Sequence, residues 1–223
     1  MELSQLLCIT NQITHWLADH YIELFGTVSG LLYVYLEIEQ KSAMWIVGFF
    51  TSVTYVIVFF QSKFYADMGL NVYYVVISIY GWYSWRYAAK KNDAAGERSI
   101  SRIKWQLSVI LLIISVVLFA AMGYVLDNFT DSPVPYYDAL ITALSITATW
   151  MLARKILEHW YLWIFINVFA SVWYLWRELY PTAVLFVVYG VMSFVGRAKW
   201  QQSFNAEKND YSPDTSLSDS HIS

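Results

Sequence analysis

The chain has 223 residues, of which 58% are hydrophobic and 19% aromatic, and only 14% are charged. Because soluble domains carry about 25% charged residues, this composition excludes an ordinary soluble protein and indicates a membrane protein. The net charge of −3 says little, whereas the single cysteine, Cys8, excludes an intrachain disulfide and a cysteine-rich metal site.

Seven apolar segments approach the length of a transmembrane helix, which needs about 20 residues because the hydrocarbon core is about 30 Å thick. In chain order they cover residues 21–37, 43–61, 69–87, 105–126, 136–152, 158–176 and 182–198. Residues 1–20 lack the basic start and cleavage site of a signal peptide, so we expect them to remain as a periplasmic segment. The sequence therefore predicts an all-α membrane protein with seven transmembrane helices.

Positive charges are distributed unevenly between alternate loops. Of the 14 Lys and Arg residues, Lys63 and Arg177 lie on the same side as the N-terminus, and the other 12 lie on the opposite side. Since positive charges concentrate in cytoplasmic loops, we expect the N-terminus outside and the C-terminus in the cytoplasm. The basic loop 88–104 then anchors the protein on the cytoplasmic side, and the polar tail 201–223 is predicted to be disordered.

The chain contains an internal repeat at an offset of 115 residues. Without a gap, this offset aligns identical residues in the two halves, among them Trp45/Trp160, Tyr65/Tyr180, Tyr74/Tyr189, Ser78/Ser193, Gly81/Gly196 and Trp85/Trp200. Each repeat then has three helices, in 21–87 and 136–198, and the apolar helix 105–126 is a linker without a partner. This predicts a 3+1+3 arrangement of parallel repeats, one of the plans that transporters use.

Repeated halves place a substrate cavity between them near the bilayer midplane, so polar and aromatic residues midway along the repeat helices are candidates for binding. Asn167 is central in its segment, where an amide facing lipid would be costly. We predict the substrate-binding residues to be Asn71, Tyr74, Tyr80, Trp82, Trp160, Trp163, Asn167 and Tyr174. Aromatic residues near helix ends are instead expected to line the membrane interface, namely Trp85, Tyr87, Trp176 and Trp200.

No Asp, Glu, Lys or Arg is found at the positions predicted to lie deep in the membrane, and all four histidines lie near helix ends or in the tails. Aromatic faces can bind a cation without a buried carboxylate. Without a buried acid there is no usual carrier of proton coupling, so we expect passive transport, with no cofactor or metal. Coupling to sodium bound by backbone carbonyls stays open as an alternative. The acids Glu23 and Asp138, near the predicted outer face, would attract a cation or only favour helix starts.

Other classes of membrane protein have less support in the sequence. An intramembrane enzyme needs a nucleophile with a base, or a metal cluster, in the membrane core, and we therefore expect no enzyme. A retinal protein needs a buried lysine, whereas the last predicted helix has Lys199 at its cytoplasmic end. A ligand-sensing seven-helix receptor and a transporter of another small cationic vitamin stay open as alternatives.

The motif YGW-x-x-W in YADMGLNVYYVVISIYGWYSW, with E-x-W-x-x-W-I-x-x-N in EHWYLWIFIN and the later LYPTA, resembles the PnuC family of bacterial nicotinamide riboside transporters. The resemblance spans most of residues 20–200. It implies a 3+1+3 plan related to the SWEET sugar transporters, and facilitated diffusion of nicotinamide riboside across the inner membrane for NAD synthesis. A cytoplasmic riboside kinase would trap the substrate as a phosphate.

The chain differs from the common pattern of that family at two positions. Asn71 stands where the family often has Gln, and His159 stands where it often has Asn, while Asn167 occupies a position commonly held by Asp or Asn. A shorter amide at position 71 retains a group that can bond a ribose hydroxyl, with less reach. The expected partners are the small-molecule substrate and membrane lipids, without nucleic acid, and a homo-oligomer is left open.

Overall fold

The computed structural model describes residues 21–22, 24–63, 65–87, 98–130 and 132–210. In these ranges the chain forms seven α-helices and no β-strand. They are α1 Leu24–Ile38, α2 Ala43–Gln61, α3 Tyr65–Tyr87, α4 Trp105–Phe129, α5 Pro135–Ala153, α6 His159–Trp176 and α7 Tyr180–Asp210. Of these, α2, α4 and α7 are long and apolar enough to cross a membrane by length and composition alone, and α1 is a shorter apolar helix.

The helices agree with the segments predicted from hydropathy to within a few residues, except at the end of the last one. The predicted disordered tail began at residue 201, but α7 continues through Asp210. That expectation is therefore wrong for residues 201–210. The rest of the tail, residues 88–97 of the basic loop and the N-terminal segment lie outside the described residues.

Tertiary contacts explain why α7 is longer than predicted. Gln40, in the turn after α1, donates from Nε2 to Ser203 Oγ over 3.1 Å. The backbone N–H of Ile100 donates to Glu207 Oε2 over 3.3 Å, so the segment before α4 also holds this helix end. A polar sequence that would not fold alone is thus stabilised as a helix by the loops it packs against.

The helices pack mainly as the pairs α2 with α3, α6 with α7, and α4 with α5, and α5 also contacts α3 and α6. The Tyr73 hydroxyl donates to the Ile146 carbonyl oxygen over 2.8 Å, which links α3 to α5. Ser115 and Thr147 share a hydrogen bond of 2.7 Å that links α4 to α5. Large apolar side chains of α4, such as Leu112 and Val117, are exposed, as expected for a surface in contact with lipid.

Four tryptophans form a core cluster at the end of the bundle where α1 leads into α2. Trp45, Trp85, Trp160 and Trp200 are each at most 2% exposed. The rings of Trp45 and Trp85 meet edge-on at 5.7 Å, those of Trp160 and Trp200 at 5.9 Å, and Trp85 contacts Trp200 at 6.0 Å. We refer to these four residues as the tryptophan cluster.

The prediction that Trp85 and Trp200 line the membrane interface is therefore wrong. The Trp85 indole N–H donates to the Leu152 carbonyl oxygen over 3.2 Å, and the Trp200 indole N–H donates to the Glu37 carbonyl oxygen over 3.0 Å. Both rings are near helix ends in the sequence, but the other helices and the extension of α7 cover them. Trp176, in contrast, is 72% exposed.

Glycines allow the helices to approach closely beside the tryptophan cluster. A methyl group at Gly81 of α3 would overlap the ring of Trp45 of α2, and a methyl group at Gly196 of α7 would overlap the ring of Trp160 of α6. Because glycine has no side chain, these two positions leave room for two of the four tryptophan rings.

The turns between helices recur at the offset of 115 residues found in the sequence. Four residues other than glycine have positive φ angles: Gln40 at 56°, Lys63 at 62°, Lys155 at 51° and Glu178 at 60°. They form two pairs, 40 with 155 and 63 with 178. The left-handed conformation is uncommon for such residues, so its recurrence at equivalent positions is a specific structural match.

Candidate functional site

A cavity of about 440 Å³ lies between the helices, next to the tryptophan cluster. Residues of α1, α2, α3, α5, α6 and α7 line it, and none of the described lining residues comes from α4. Its aromatic lining consists of Tyr33, Tyr55, Tyr74, Trp160, Trp163, Phe186 and Tyr189. Hydroxyl groups supply most of the polar lining, together with the amides of Asn71 and Asn167 and the carboxylate of Glu37.

The structure brings five of the eight predicted binding residues to this cavity: Asn71, Tyr74, Trp160, Trp163 and Asn167. The other three do not line it. Tyr80 is 38% exposed, and Tyr174 stacks at 5.3 Å on Phe186, whose own ring faces the cavity. Their positions along the helices did not show where the cavity ends.

Trp82 shows how packing between α2 and α3 limits the cavity. It lies on the same face of α3 as Tyr74 and Ser78, one turn further along. At this level the Trp45 ring packs against Gly81 and fills the space between the two helices. Trp82 consequently lines a separate cavity of about 190 Å³.

Asn167 lies in the protein interior and not against lipid, as its predicted role requires. Its side chain is buried, and Nδ2 donates to Ser193 Oγ over 3.1 Å. Ser193 Oγ in turn donates to the Tyr189 carbonyl oxygen over 2.8 Å. Gly190 lies beside the Asn167 Cβ, so the backbone of α7 comes close to α6 at this level. The amide is thereby positioned at the cavity wall by α7.

Two indole groups at the cavity carry buried donors. The Nε1 atoms of Trp160 and Trp163 are buried and have no hydrogen-bond partner among the described residues. Buried donors in proteins are nearly always paired, so an unpaired donor in a cavity wall needs an explanation. An acceptor on a bound ligand would satisfy either one.

An acidic group lies at the cavity that was not predicted from the sequence. Glu37 is 2% exposed and lines the cavity near Trp160, and its Oε1 lies 3.0 Å from Nε2 of His159, which is 0% exposed. The expectation from the sequence concerned positions deep along the membrane helices, whereas Glu37 is at a helix end and is buried by the segments that pack over it. The cavity therefore has one ionisable carboxyl group that the argument for passive transport did not consider.

Glu37 and His159 were both expected to lie near water, because each is at the end of a helix. Glu37 is next to the last residue of α1, and His159 is the first residue of α6, where side chains usually reach water. Here the rings of Trp160 and Trp200 pack against the His159 ring at 4.7 and 4.8 Å. Burial at these positions results from α7, which the local sequence around either residue does not show.

The two acids that were considered as an entrance for cations have different outcomes. Asp138 accepts a hydrogen bond from Ser132 Oγ over 2.7 Å, at the start of α5. This contact favours the simpler interpretation, in which the acid stabilises the beginning of a helix. Glu23 lies outside the described residues.

A family model described as nicotinamide mononucleotide transporter matches residues 20–202. The chain belongs to the nicotinamide mononucleotide transporter family. This membership and the apolar helices identify a multi-pass protein of the bacterial inner membrane. The resemblance to PnuC transporters that was inferred from the aromatic motifs is confirmed.

Relatives within reach of sequence comparison are named as vitamin transporters. The chain is 26% identical over 207 residues to the nicotinamide riboside transporter PnuC of Escherichia coli (strain K12), covering 82% of this chain and 86% of the relative. It is 21% identical over 179 residues to the riboflavin/roseoflavin transporter RibM of Streptomyces davaonensis, covering 80% and 83%. Proteins similar in sequence to this chain are thus named as transporters of two different vitamins, nicotinamide riboside and riboflavin.

The three-dimensional fold of the family is also known. The chain matches the crystal structure of the vitamin B3 transporter PnuC with a TM-score of 0.67 and 22% identity, covering 92% of this chain and 90% of the other. The helical fold therefore extends over nearly the whole of both proteins.

Proposed function

We propose that this chain carries nicotinamide riboside across the bacterial inner membrane. The observation that carries the proposal is the cavity between the six helices, where aromatic rings meet the amide of Asn167 in a member of this transporter family. Nicotinamide riboside has a flat cationic pyridinium ring, a carboxamide and ribose hydroxyls. Aromatic faces can hold the ring by stacking and cation–π attraction, while amide and hydroxyl side chains bond the rest.

The charges at the cavity favour the riboside over the mononucleotide. A mononucleotide adds a phosphate, which proteins usually bind with Arg or Lys. None of the described residues that line the cavity is Arg or Lys, so a phosphate would find no basic partner among them. Glu37 also favours a cationic ring over a neutral flavin, the substrate class for which the relative RibM is named.

We infer that the helices form 3+1+3 parallel repeats of the SWEET type, with α1–α3 and α5–α7 as the repeats and α4 as the linker. The pairing of α2 with α3 matches that of α6 with α7, and each pair has a glycine against a tryptophan at equivalent positions. The paired turn conformations support the same relation. The absence of α4 from the described cavity lining agrees with a linker that faces lipid.

Two hydrogen bonds between the halves give further support to the repeats. Trp85 donates to the Leu152 carbonyl, and Trp200 donates to the Glu37 carbonyl. The two bonds are related by the repeat offset of 115 residues, which converts Trp85 into Trp200 as donor and Leu152 into Glu37 as acceptor. A two-fold axis between the halves requires this exchange, because it maps each half onto the other.

The proposed mechanism is facilitated diffusion by alternating exposure of the cavity, with trapping of the riboside by a cytoplasmic kinase. The tryptophan cluster closes the end of the cavity near Trp160 and Glu37, so it is the gate on that side. The distribution of Lys and Arg places this gate toward the cytoplasm, with the N-terminus outside. Rocking of the two repeats against each other as rigid bodies would open the cavity to one side of the membrane and then to the other.

Uptake into liposomes that contain the purified chain tests the function. We expect labelled nicotinamide riboside to enter without an imposed ion gradient, to accumulate only when a riboside kinase and ATP are inside, and to be displaced by unlabelled riboside better than by mononucleotide or riboflavin. Failure of uptake with the protein folded and inserted would refute the proposal.

An amide variant tests the site in the same liposomes. Asn167→Ala removes the amide from the cavity wall, and we expect about tenfold weaker binding, as for the loss of one or two hydrogen bonds. Asn128→Ala is the control, because that amide is exposed and bonds the Tyr124 carbonyl oxygen within α4. Equal affinity in both variants would contradict the assignment of Asn167.

A further inference from the structure

A buried ionisable pair lies at the cavity wall, and the transport mechanism above gives no role to the proton that it holds. Glu37 is the one acidic side chain among the described residues that line the cavity, and His159 lies directly behind it. Their side chains are almost completely buried, and Glu37 Oε1 lies 3.0 Å from His159 Nε2. We call Glu37 and His159 the dyad.

The hydrogen bonds of the dyad determine how many protons it holds. His159 Nδ1 lies 2.7 Å from the Ile156 carbonyl oxygen. A carbonyl oxygen can only accept, so Nδ1 carries a hydrogen. The contact between Nε2 and Glu37 Oε1 needs a second hydrogen, which resides on either atom. In both cases the two residues share one proton and the dyad is neutral. Loss of that proton would leave the Glu37 carboxylate facing the lone pair of His159 Nε2.

Other titratable and charged groups lie on the elements around the dyad. The titratable and charged groups on the surrounding elements are Tyr33 of α1, Tyr73, Tyr74 and Arg86 of α3, Glu39 and Lys41 of the turn before α2, Arg98 and Arg102 before α4, Arg154, Lys155 and Glu158 between α5 and α6, and Lys199 of α7. Among the described residues, His159 and Tyr33 interact electrostatically with Glu37. Lys155 lies 4.7 Å above the Trp85 ring, and Lys199 pairs with Glu39.

The equivalent positions of the other half show that the fold does not need this dyad for packing. The offset of 115 residues relates Glu37 to Leu152 and His159 to Met44, and both of these are apolar and 0% exposed. Apolar residues therefore fill the same space well in one half. A buried ionisable pair is usually no more stable than such packing, so its presence in the other half points to a functional role.

We propose that the dyad is a proton site linked to ligand binding: a monocationic aromatic ligand that enters the cavity expels the shared proton to solvent, and the Glu37 carboxylate then balances the ligand charge. With the proton retained, a bound cation would leave one uncompensated positive charge in a cavity of low polarity. With the proton released, the dyad has charge −1 and the complex is neutral. The inference depends on the proposed function, which supplies nicotinamide riboside as the cation.

The linkage has two measurable consequences for the full-length chain in detergent. Titration calorimetry of nicotinamide riboside in buffers of different ionisation enthalpy should show release of a large fraction of one proton per ligand. The affinity should rise with pH, by up to about tenfold per pH unit, as long as the free dyad still holds its proton. The neutral 1,4-dihydro form of the riboside has the same shape and should bind without proton release.

A pair of variants locates the proton. Glu37→Gln keeps a hydrogen-bonding group beside His159 but removes the carboxylate, so proton release and the pH dependence should both disappear. Glu39→Gln is the control, because Glu39 is two residues away, pairs with Lys199 at the surface and does not line the cavity. This variant should release the proton as the unchanged chain does.

The outcomes separate the linkage from the proposed function. Binding of the riboside without proton release, equal release with its neutral dihydro form, or release that persists in Glu37→Gln would overturn the linkage and leave transport standing. Absence of riboside binding at every pH would contradict the proposed function and the linkage with it. The comparison of charged and neutral ligands needs no variant, so it decides the question even if Glu37→Gln does not fold.

Discussion

Single side chains decide which ligand the cavity can hold. Asn167 illustrates the cost of a polar group in a membrane helix, since its amide is buried and takes Ser193 of α7 as its partner. Trp163 is different, because its ring lines the cavity and its indole N–H has no partner among the described residues. A ligand acceptor is the simplest partner for such a donor.

Replacement of Trp163 by Phe tests this assignment, because it keeps an aromatic face and removes the N–H. We expect about two- to tenfold weaker binding of nicotinamide riboside, which corresponds to one hydrogen bond of about 0.5–1.5 kcal/mol. Thermal stability should change little for loss of the N–H itself, since no bond within the protein is lost. Binding by calorimetry and unfolding in detergent are the measurements.

The matched control is Trp45→Phe. The Trp45 indole N–H is also buried without a partner among the described residues, but Trp45 lies in the tryptophan cluster and does not line the main cavity. We expect its replacement to reduce riboside affinity less than Trp163→Phe does, because the Trp45 ring belongs to the proposed gate and not to the cavity wall. An equal loss of affinity in both variants would show that the effect arises from packing and not from the N–H of Trp163.

Pairs of helices are held at short distance by glycines facing large rings. This arrangement occurs between α2 and α3 at Gly81 and between α6 and α7 at Gly196. Because the ring atoms are rigid and belong to a buried cluster, they cannot move aside for an added methyl group. The helix pairs are therefore the packing units of this fold.

Alanine at either glycine should separate the helices of its pair. We expect Gly81→Ala and Gly196→Ala each to lower the free energy of unfolding by about 1–3 kcal/mol, as overpacking of a filled core does. Denaturation in detergent micelles, followed by tryptophan fluorescence, measures the effect. The two values should be similar, because the two sites have equivalent surroundings.

Gly69→Ala provides the control within α3. None of the described residues lies within 4 Å of a methyl group at that position. We expect a small gain in stability of about 0.5–1 kcal/mol, because alanine loses less backbone entropy than glycine in a helix. A loss at Gly69 as large as that at Gly81 would mean that helix contact is not the cause.

At the scale of the whole molecule, the two halves meet at Trp85 and Trp200. Each indole donates a hydrogen bond to a backbone carbonyl of the opposite half, and the two rings contact each other. The same cluster closes the cavity next to the dyad. The contact between the halves and the proposed gate therefore involve the same residues.

Phenylalanine at Trp85 or Trp200 should weaken the contact between halves. Each replacement removes one hydrogen bond between the halves and leaves a smaller ring in the cluster, although each carbonyl oxygen keeps a backbone N–H donor from its own turn. We expect a loss of about 1–3 kcal/mol. Since the rings touch, the double variant should lose less than the sum of the single losses. Trp176→Phe is the control, because Trp176 is largely exposed. Additive losses would show that the two tryptophans act independently.

The sequence by itself determined the membrane class, the seven helices to within a few residues and the repeat offset, because hydropathy, helical period and residue identity are local properties. It also placed Asn71, Tyr74, Trp160, Trp163 and Asn167 on the faces that line the cavity. Residues near helix ends were assigned to water or to the membrane interface, since position along a helix was the available guide.

The tertiary structure alone decided that Glu37 and His159 form a buried dyad and that Trp85 and Trp200 are in the core. Exposure of a helix end depends on which distant segment covers it, and here α7 and the turn residues provide the cover. The limit of the cavity at Trp82 has the same origin, because a ring on α2 fills the space beside α3. Burial is a property of segments brought together, and no single segment contains it.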